Sequence, residues 1–94
     1  MRILVNAGGY PLTRASFRYC RRRVKAWVSE RDWPGRVLVE PIAAGSEVIC
    51  RVRLEWRGGG LLRAEARAAA LEPALEGCLG ALQEWAPAAG PPRA

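Results

Sequence analysis

Residues 47–57 read EVICRVRLEWR, eleven residues in which apolar and polar side chains take turns. Val48, Cys50, Val52, Leu54 and Trp56 fall on one side; Ile49, Arg51, Arg53, Glu55 and Arg57 fall on the other. Successive side chains of a strand point to opposite faces, so this spacing predicts a strand with one face on a core and the other in water. A sheet that is wet on one face must be covered on its other face, and the rest of the chain has to supply the cover.

Downstream, Gly58-Gly59-Gly60 reads as a hairpin turn. It precedes a strand rather than a helix, so it is not a phosphate-binding loop. Leu61 to Arg67 alternates again, with Leu62, Ala64 and Ala66 inward and Arg63, Glu65 and Arg67 outward. Leu71, Leu75, Cys78, Leu79, Leu82 and Trp85 or Ala86 then keep helical spacing, with Pro73 tolerable in the first turn. Gly77 and Gly80 weaken that helix by about 1 kcal/mol each relative to Ala, so tertiary packing must hold it.

Upstream, Arg36 to Ala43 (RVLVEPIA) is a short strand whose Pro41 suits an edge or a bulge. The opening MRILVNA reads as another strand, ended by a turn at Gly8-Gly9. Thr13, with Pro11 just ahead of it, is a good N-cap for a helix that Trp33-Pro34-Gly35 ends. Within that helix, residues 17–27 (FRYCRRRVKAW) sort into two stripes. Phe17, Cys20, Val24, Trp27 and Val28 form an apolar face, while Arg14, Arg18, Arg21 and Lys25, with Arg22 beside them, form a cationic one.

The expected fold class is therefore α+β, in the order β-α-β-β-β-α: a four-stranded, mostly antiparallel sheet with two helices packed on one face, as in a double-stranded-RNA-binding domain. Residues 1–86 make a single domain, and residues 87–94 (PAAGPPRA) read as a disordered tail. Trp27, Trp56 and Trp85 follow their elements' apolar periods and are expected in the core, whereas Tyr10 and Trp33 sit in turns, freer to stack.

Composition narrows the function classes. Of the 94 residues, 50% are hydrophobic and 26% charged, the balance of an ordinary globular chain. No apolar stretch approaches the roughly 18 residues of a bilayer span. Met1 to Ala7 lacks the charged start, apolar run and cleavage site of a signal peptide, so the chain reads as cytoplasmic. Cys20, Cys50 and Cys78 are an odd, widely spaced set with no CxxC pair, each on an expected core face, and read as buried free thiols of a reducing compartment. There is no histidine, and Glu40, Glu47 and Glu65 are scattered, so no catalytic residue, metal ligand or cofactor is expected.

Net charge is +6, unevenly placed. Residues 1–67 hold fourteen of the fifteen cations and six of the nine acids; residues 68–94 are net negative. A solvated cationic helix normally interleaves acids one turn away, yet none lies between Thr13 and Ser29. Uncompensated repulsion along four turns points to a polyanionic partner. A membrane surface fits less well than a polyanion, because the helix's apolar face is needed to cover the sheet and one stripe cannot serve both.

At this level the chain resembles the ribosome hibernation promoting factors, also called ribosome-associated inhibitors or sigma-54 modulation proteins. The likeness covers roughly residues 1–85. It rests on the short first strand and Gly-containing turn, Leu12-Thr13-Arg14-Ala15 followed by Phe17-Arg18, then Gly59-Gly60, Leu62-Arg63-Ala64-Glu65-Ala66 and Ala74-Leu75-Glu76-Gly77-Cys78-Leu79. The family has no catalytic signature; order, spacing and length carry the likeness. The chain departs from the family pattern at Ala70 and Glu72, where an Asp-x-Tyr is usual, and in the cation-free run from Gly77 to Pro87.

The resemblance implies a bacterial factor that lodges in the small-subunit channel for messenger and transfer RNA, contacts 16S ribosomal RNA through basic residues and silences translation under stress. The length resembles the short forms, which lack a C-terminal dimerisation domain, so a monomer is expected off the ribosome. No small-molecule substrate is implied. The expected RNA-binding residues are Arg14, Arg18, Arg21, Arg22 and Lys25 on the helix and Arg51, Arg53 and Arg63 on the open sheet face. The sheet arginines have a second reading as edge protection, with Glu55 and Glu65 as cross-strand partners. The alternative function is a protein-interaction module whose basic surface docks an acidic protein.

Overall fold

The structure, a computed structural model, describes residues 2–7, 10–31, 35–56 and 60–85. Gly8-Gly9, Trp33-Pro34, Arg57, Gly58-Gly59, Ala86, the tail at 87–94 and the side chains of Trp56 and Trp85, on which several expectations fell, lie outside the described residues. Six elements follow one another: β1 (Arg2–Val5), α1 (Arg14–Arg31), β2 (Gly35–Ala44), β3 (Glu47–Trp56), β4 (Leu61–Ala68) and α2 (Leu71–Trp85). This is the expected β-α-β-β-β-α order.

The strands form one open sheet in the order β1-β2-β3-β4. The β1-α1-β2 crossover makes β1 and β2 parallel, with Ile3 opposite Val37 and Val5 opposite Val39. The two hairpins are antiparallel, and their registers align Val37, Leu54 and Leu62, then Val39, Val52 and Ala64, then Pro41, Cys50 and Ala66. Gly45, with φ at 66°, makes the tight β2–β3 turn that a side chain would strain.

Pro41 is buried in a strand that lies between two others. The expected edge position nevertheless holds locally. β1 ends at Val5, opposite Val39, so β2 has already lost its parallel neighbour where the proline sits.

The core is one layer between the sheet and two helices. Val37 and Val39 of β2 and Val48, Cys50, Val52 and Leu54 of β3 face Cys20, Val24, Trp27 and Val28 of α1 and Leu71, Ala74, Leu75, Cys78, Leu79 and Leu82 of α2. Each of those buried leucines stabilises the fold by about 1.5–3 kcal/mol. The inner face of β4 carries Ala64, Ala66 and Ala68, small side chains that let α2 settle close to the strand. Thr13 caps α1 as expected, accepting a hydrogen bond on Oγ1 from the Ser16 amide at 3.1 Å. Ala70 holds the equivalent place on α2: its carbonyl accepts the first helical bond, from Ala74 N at 3.2 Å, but it has no side-chain acceptor.

One core expectation fails. Phe17 is 36% exposed. Its place on the apolar stripe is right, but α1 lies over β1 and against α2, and an 18-residue helix is about 27 Å long whereas four strand residues span about 13 Å. The first turn of α1 outruns the layer beneath it.

The three cysteines are buried free thiols. Cys78 Sγ donates to the Cys50 carbonyl at 2.7 Å, tying α2 to β3. Burial pushes the Cys20 thiol up to about 11, and the interaction with the Cys78 side chain, then burial, raises that of Cys50. Among the described residues no helix is long and apolar enough to cross a membrane.

Candidate nucleic-acid interface

The 3.6-residue period of α1 gives it three distinct sides. One is buried. The second presents Arg14, Arg18, Arg21, Arg22 and Lys25, all exposed. Among the described residues none of the five pairs with a carboxylate. Two rest on rings: the Arg21 guanidinium lies 5.9 Å from the Phe17 centroid and that of Arg22 lies 6.0 Å from the Tyr19 centroid. Such contacts orient a guanidinium without neutralising it.

The third side faces α2 and behaves differently. Arg23 Nε and the Tyr19 hydroxyl both donate to Glu76 Oε2, each at 2.8 Å. Burial alone would raise the Glu76 carboxyl, but the bonds from Arg23 and Tyr19 and the Arg23 charge outweigh it and hold the group below its ordinary value. The hydrogen bond to Glu76, reinforced by burial, raises the Tyr19 hydroxyl. Arg23 stands in the same Arg-Arg-Arg run as Arg21 and Arg22 but is a clamp between helices, consistent with its omission from the cationic stripe.

On the open sheet face the cations are mostly answered by acids. Arg36 hydrogen-bonds Glu55; Arg51 Nε lies 2.9 Å from Glu65 Oε2, directly across the β3–β4 ladder; Arg67 Nη1 lies 3.4 Å from Glu47 Oε1. Arg53 Nε is 4.0 Å from Glu40 Oε1, within ion-pair reach but too far for a hydrogen bond, and is left without a hydrogen-bond partner. Arg63 stands directly opposite Arg53 and pairs with no carboxylate among the described residues. Exposed pairs of this kind contribute only about 0.2–1 kcal/mol each, so their main effect is to cancel local field.

The expected site residues therefore divide. Arg14, Arg18, Arg21, Arg22 and Lys25 form one continuous uncompensated flank; Arg51 and Arg53 sit on the opposite face beside acids, and Arg63 is beside Arg53. The helix flank also contains a feature absent from the sequence reading: a groove of about 410 Å³ lined by Ile3 of β1 and by Phe17, Arg18, Arg21, Arg22 and Lys25 of α1. The mismatch between the length of the helix and that of the strand ahead of it was the available signal.

Element order, sheet order and the placement of both helices define a small α+β domain with an open mixed sheet and an electropositive first helix. That fold is the one adopted by a ribosomal subunit interface protein from Coxiella burnetii, which is 13% identical and superposes with a TM-score of 0.81 over 92% of this chain and 93% of the other. The N-terminal domain of Protein Y from Thermus thermophilus is 21% identical, with a TM-score of 0.71 over 89% of this chain and 93% of that domain. At these identities the likeness is one of fold. No family model matches the sequence, and no curated protein matches it.

Proposed function

We propose that this protein is a ribosome-associated factor of the hibernation type, which binds the small subunit through 16S ribosomal RNA and inhibits translation by occupying the messenger and transfer RNA channel. The flank of α1 supplies the main contact. Arg63, with Arg51 and Arg53, supplies a second one from the sheet face. The protein is a non-enzymatic occluder acting in the cytoplasm.

One observation carries this reading: five exposed cations on about three turns of one helix with no carboxylate among the described residues to answer them, in a molecule that pairs most of its strand cations. Such a flank repels itself, and phosphates relieve the repulsion. The fold shared with a solved structure named as a ribosomal subunit interface protein, and the sequence resemblance over residues 1–85, direct the choice of polyanion to ribosomal RNA. Gly77 and Gly80 weaken α2, so something must pack against it, and a partner protein is one candidate. Gly77 has an explanation inside the chain instead, since a Cβ there would meet Ala66 at 2.9 Å.

Co-sedimentation with ribosomes over a salt series tests the proposal. The five flank cations alone give a log–log salt slope of about −4, a loss on the order of a hundredfold between about 50 and 200 mM salt, and the sheet-face contact steepens it. Arg18→Glu, Arg21→Glu and Lys25→Glu together abolish sedimentation with the fold intact. Absence of the wild-type protein from the ribosome pellet at low salt defeats the proposal, and a nuclease-resistant acidic protein recovered in its place supports the interaction module.

A further inference from the structure

We infer that the groove between α1 and β1 receives an unpaired nucleotide of RNA, its base on Phe17 and its phosphate among Arg18, Arg21, Arg22 and Lys25. The inference deepens the proposed function and rests on it. Phosphates of a continuous duplex need only the cations. They gain nothing from an apolar floor, and the floor is the unusual feature: Ile3 and a Phe17 ring, 36% exposed, among four positive side chains. Leaving that ring 36% exposed forgoes part of the stabilisation its burial would give.

An aromatic ring inside a cationic rim matches the needs of a base turned out of a helix. The base stacks on the ring or on a guanidinium plane, while the flanking phosphates meet the arginines. Arg21 already lies over Phe17 at 5.9 Å from the centroid, so an incoming base either displaces that guanidinium from the ring or stacks on the guanidinium plane itself. The volume of about 410 Å³ falls within the usual range of small-ligand sites and suits one nucleotide better than a helix. β1 is also an edge strand, so an acidic peptide lying along it is the competing occupant.

Fluorescence anisotropy with a labelled single-stranded RNA of about ten nucleotides, a duplex of the same length and an oligo-glutamate peptide separates these cases. Phe17→Ala is expected to weaken single-strand binding about tenfold. Duplex binding should stay within about twofold, with the salt slope of both unchanged because no charge is lost. Phe17→Trp should restore the single-strand affinity. Phe17 lies outside the buried core, and the circular dichroism spectrum of each variant checks that the fold is kept. Equal binding of single strand by wild type and Phe17→Ala overturns the inference while leaving ribosome co-sedimentation untouched. Tight binding of the peptide with no binding of either RNA overturns it in favour of the peptide. Loss of ribosome co-sedimentation by the wild type itself is the distinct failure of the proposed function.

Discussion

A Cβ added to Gly77 would stand 2.9 Å from the Cβ of Ala66. That distance is shorter than packed carbons tolerate, and neither atom is the end of a flexible chain that could swing away. Gly77 on α2 and Ala66 on β4 thus set how closely helix and sheet approach, and the alanine-lined inner face of β4 serves the same end. By contrast, a Cβ at Gly80, one turn on, meets nothing within 4 Å.

Two glycines in one helix should therefore respond in opposite directions. Gly77→Ala forces α2 away from β4 and is expected to cost about 1–3 kcal/mol, more than the gain of about 1 kcal/mol in helix propensity. Gly80→Ala keeps the gain, about 0.5–1 kcal/mol. Thermal melts of the two variants check this. A chain of this size shifts by about 4–8 °C per kcal/mol, so the pair should bracket the wild type.

The start of α2 offers a second stabilising change. Ala70 occupies the N-cap position with no oxygen to offer the free amides of the first turn. Ala70→Asp should raise stability by about 1 kcal/mol, because the carboxylate both accepts an amide hydrogen bond and faces the positive end of the helix. A higher urea midpoint with an unchanged slope is the expected result.

The Tyr19–Arg23–Glu76 contact makes stability depend on pH at both extremes. Glu76 has its folded-state value depressed, so its contribution is present above the unfolded carboxyl range and is lost as pH falls through the lower folded value. Tyr19 has its value raised, so its contribution is present below the ordinary value of 10.0 and is lost as pH rises through the raised one. Arg23 and Glu76 are each more than a third exposed, and their contact is worth about 0.2–1 kcal/mol at neutral pH. Urea midpoints measured from about pH 7 down to about pH 3 should fall less steeply in Glu76→Gln than in wild type.

Arg63 separates folding from binding. It lies directly across from Arg53, a like-charge pair that weakens the β3–β4 ladder. Arg63→Glu should gain about 0.2–1 kcal/mol by facing Arg53 with a carboxylate. The same change should reduce the ribosome salt slope by about one. Higher melting temperature together with a shallower salt dependence is the expected combination.

Much of this molecule could be read from its letters because two periods are unmistakable. The alternation of residues 47–56 places Val48, Cys50, Val52 and Leu54 in the core, and the spacing of Cys20, Val24, Trp27 and Val28 places the buried side of α1. Periodicity gives direction but not extent. It pointed Phe17 inward without revealing that the underlying strand stops short. Nor does periodicity supply partners: it left Arg23 off the cationic stripe, but the clamp that Arg23 makes depends on Glu76, 53 positions away. Glu55 and Glu65 were legible as cross-strand partners of the sheet arginines because the strands alternate across short turns, whereas which arginine each one answers, Arg36 for Glu55 and Arg51 for Glu65, depends on registers known only once the sheet is assembled.

The split between an unanswered helix flank and a largely self-neutralising sheet makes the molecule electrically lopsided as well as positive. In the field of any large anion such a body experiences a torque before it makes contact, and it rotates until α1 leads. Fewer encounters are wasted on the wrong face, so the arrangement governs how quickly a productive collision occurs, separately from how long the resulting complex survives.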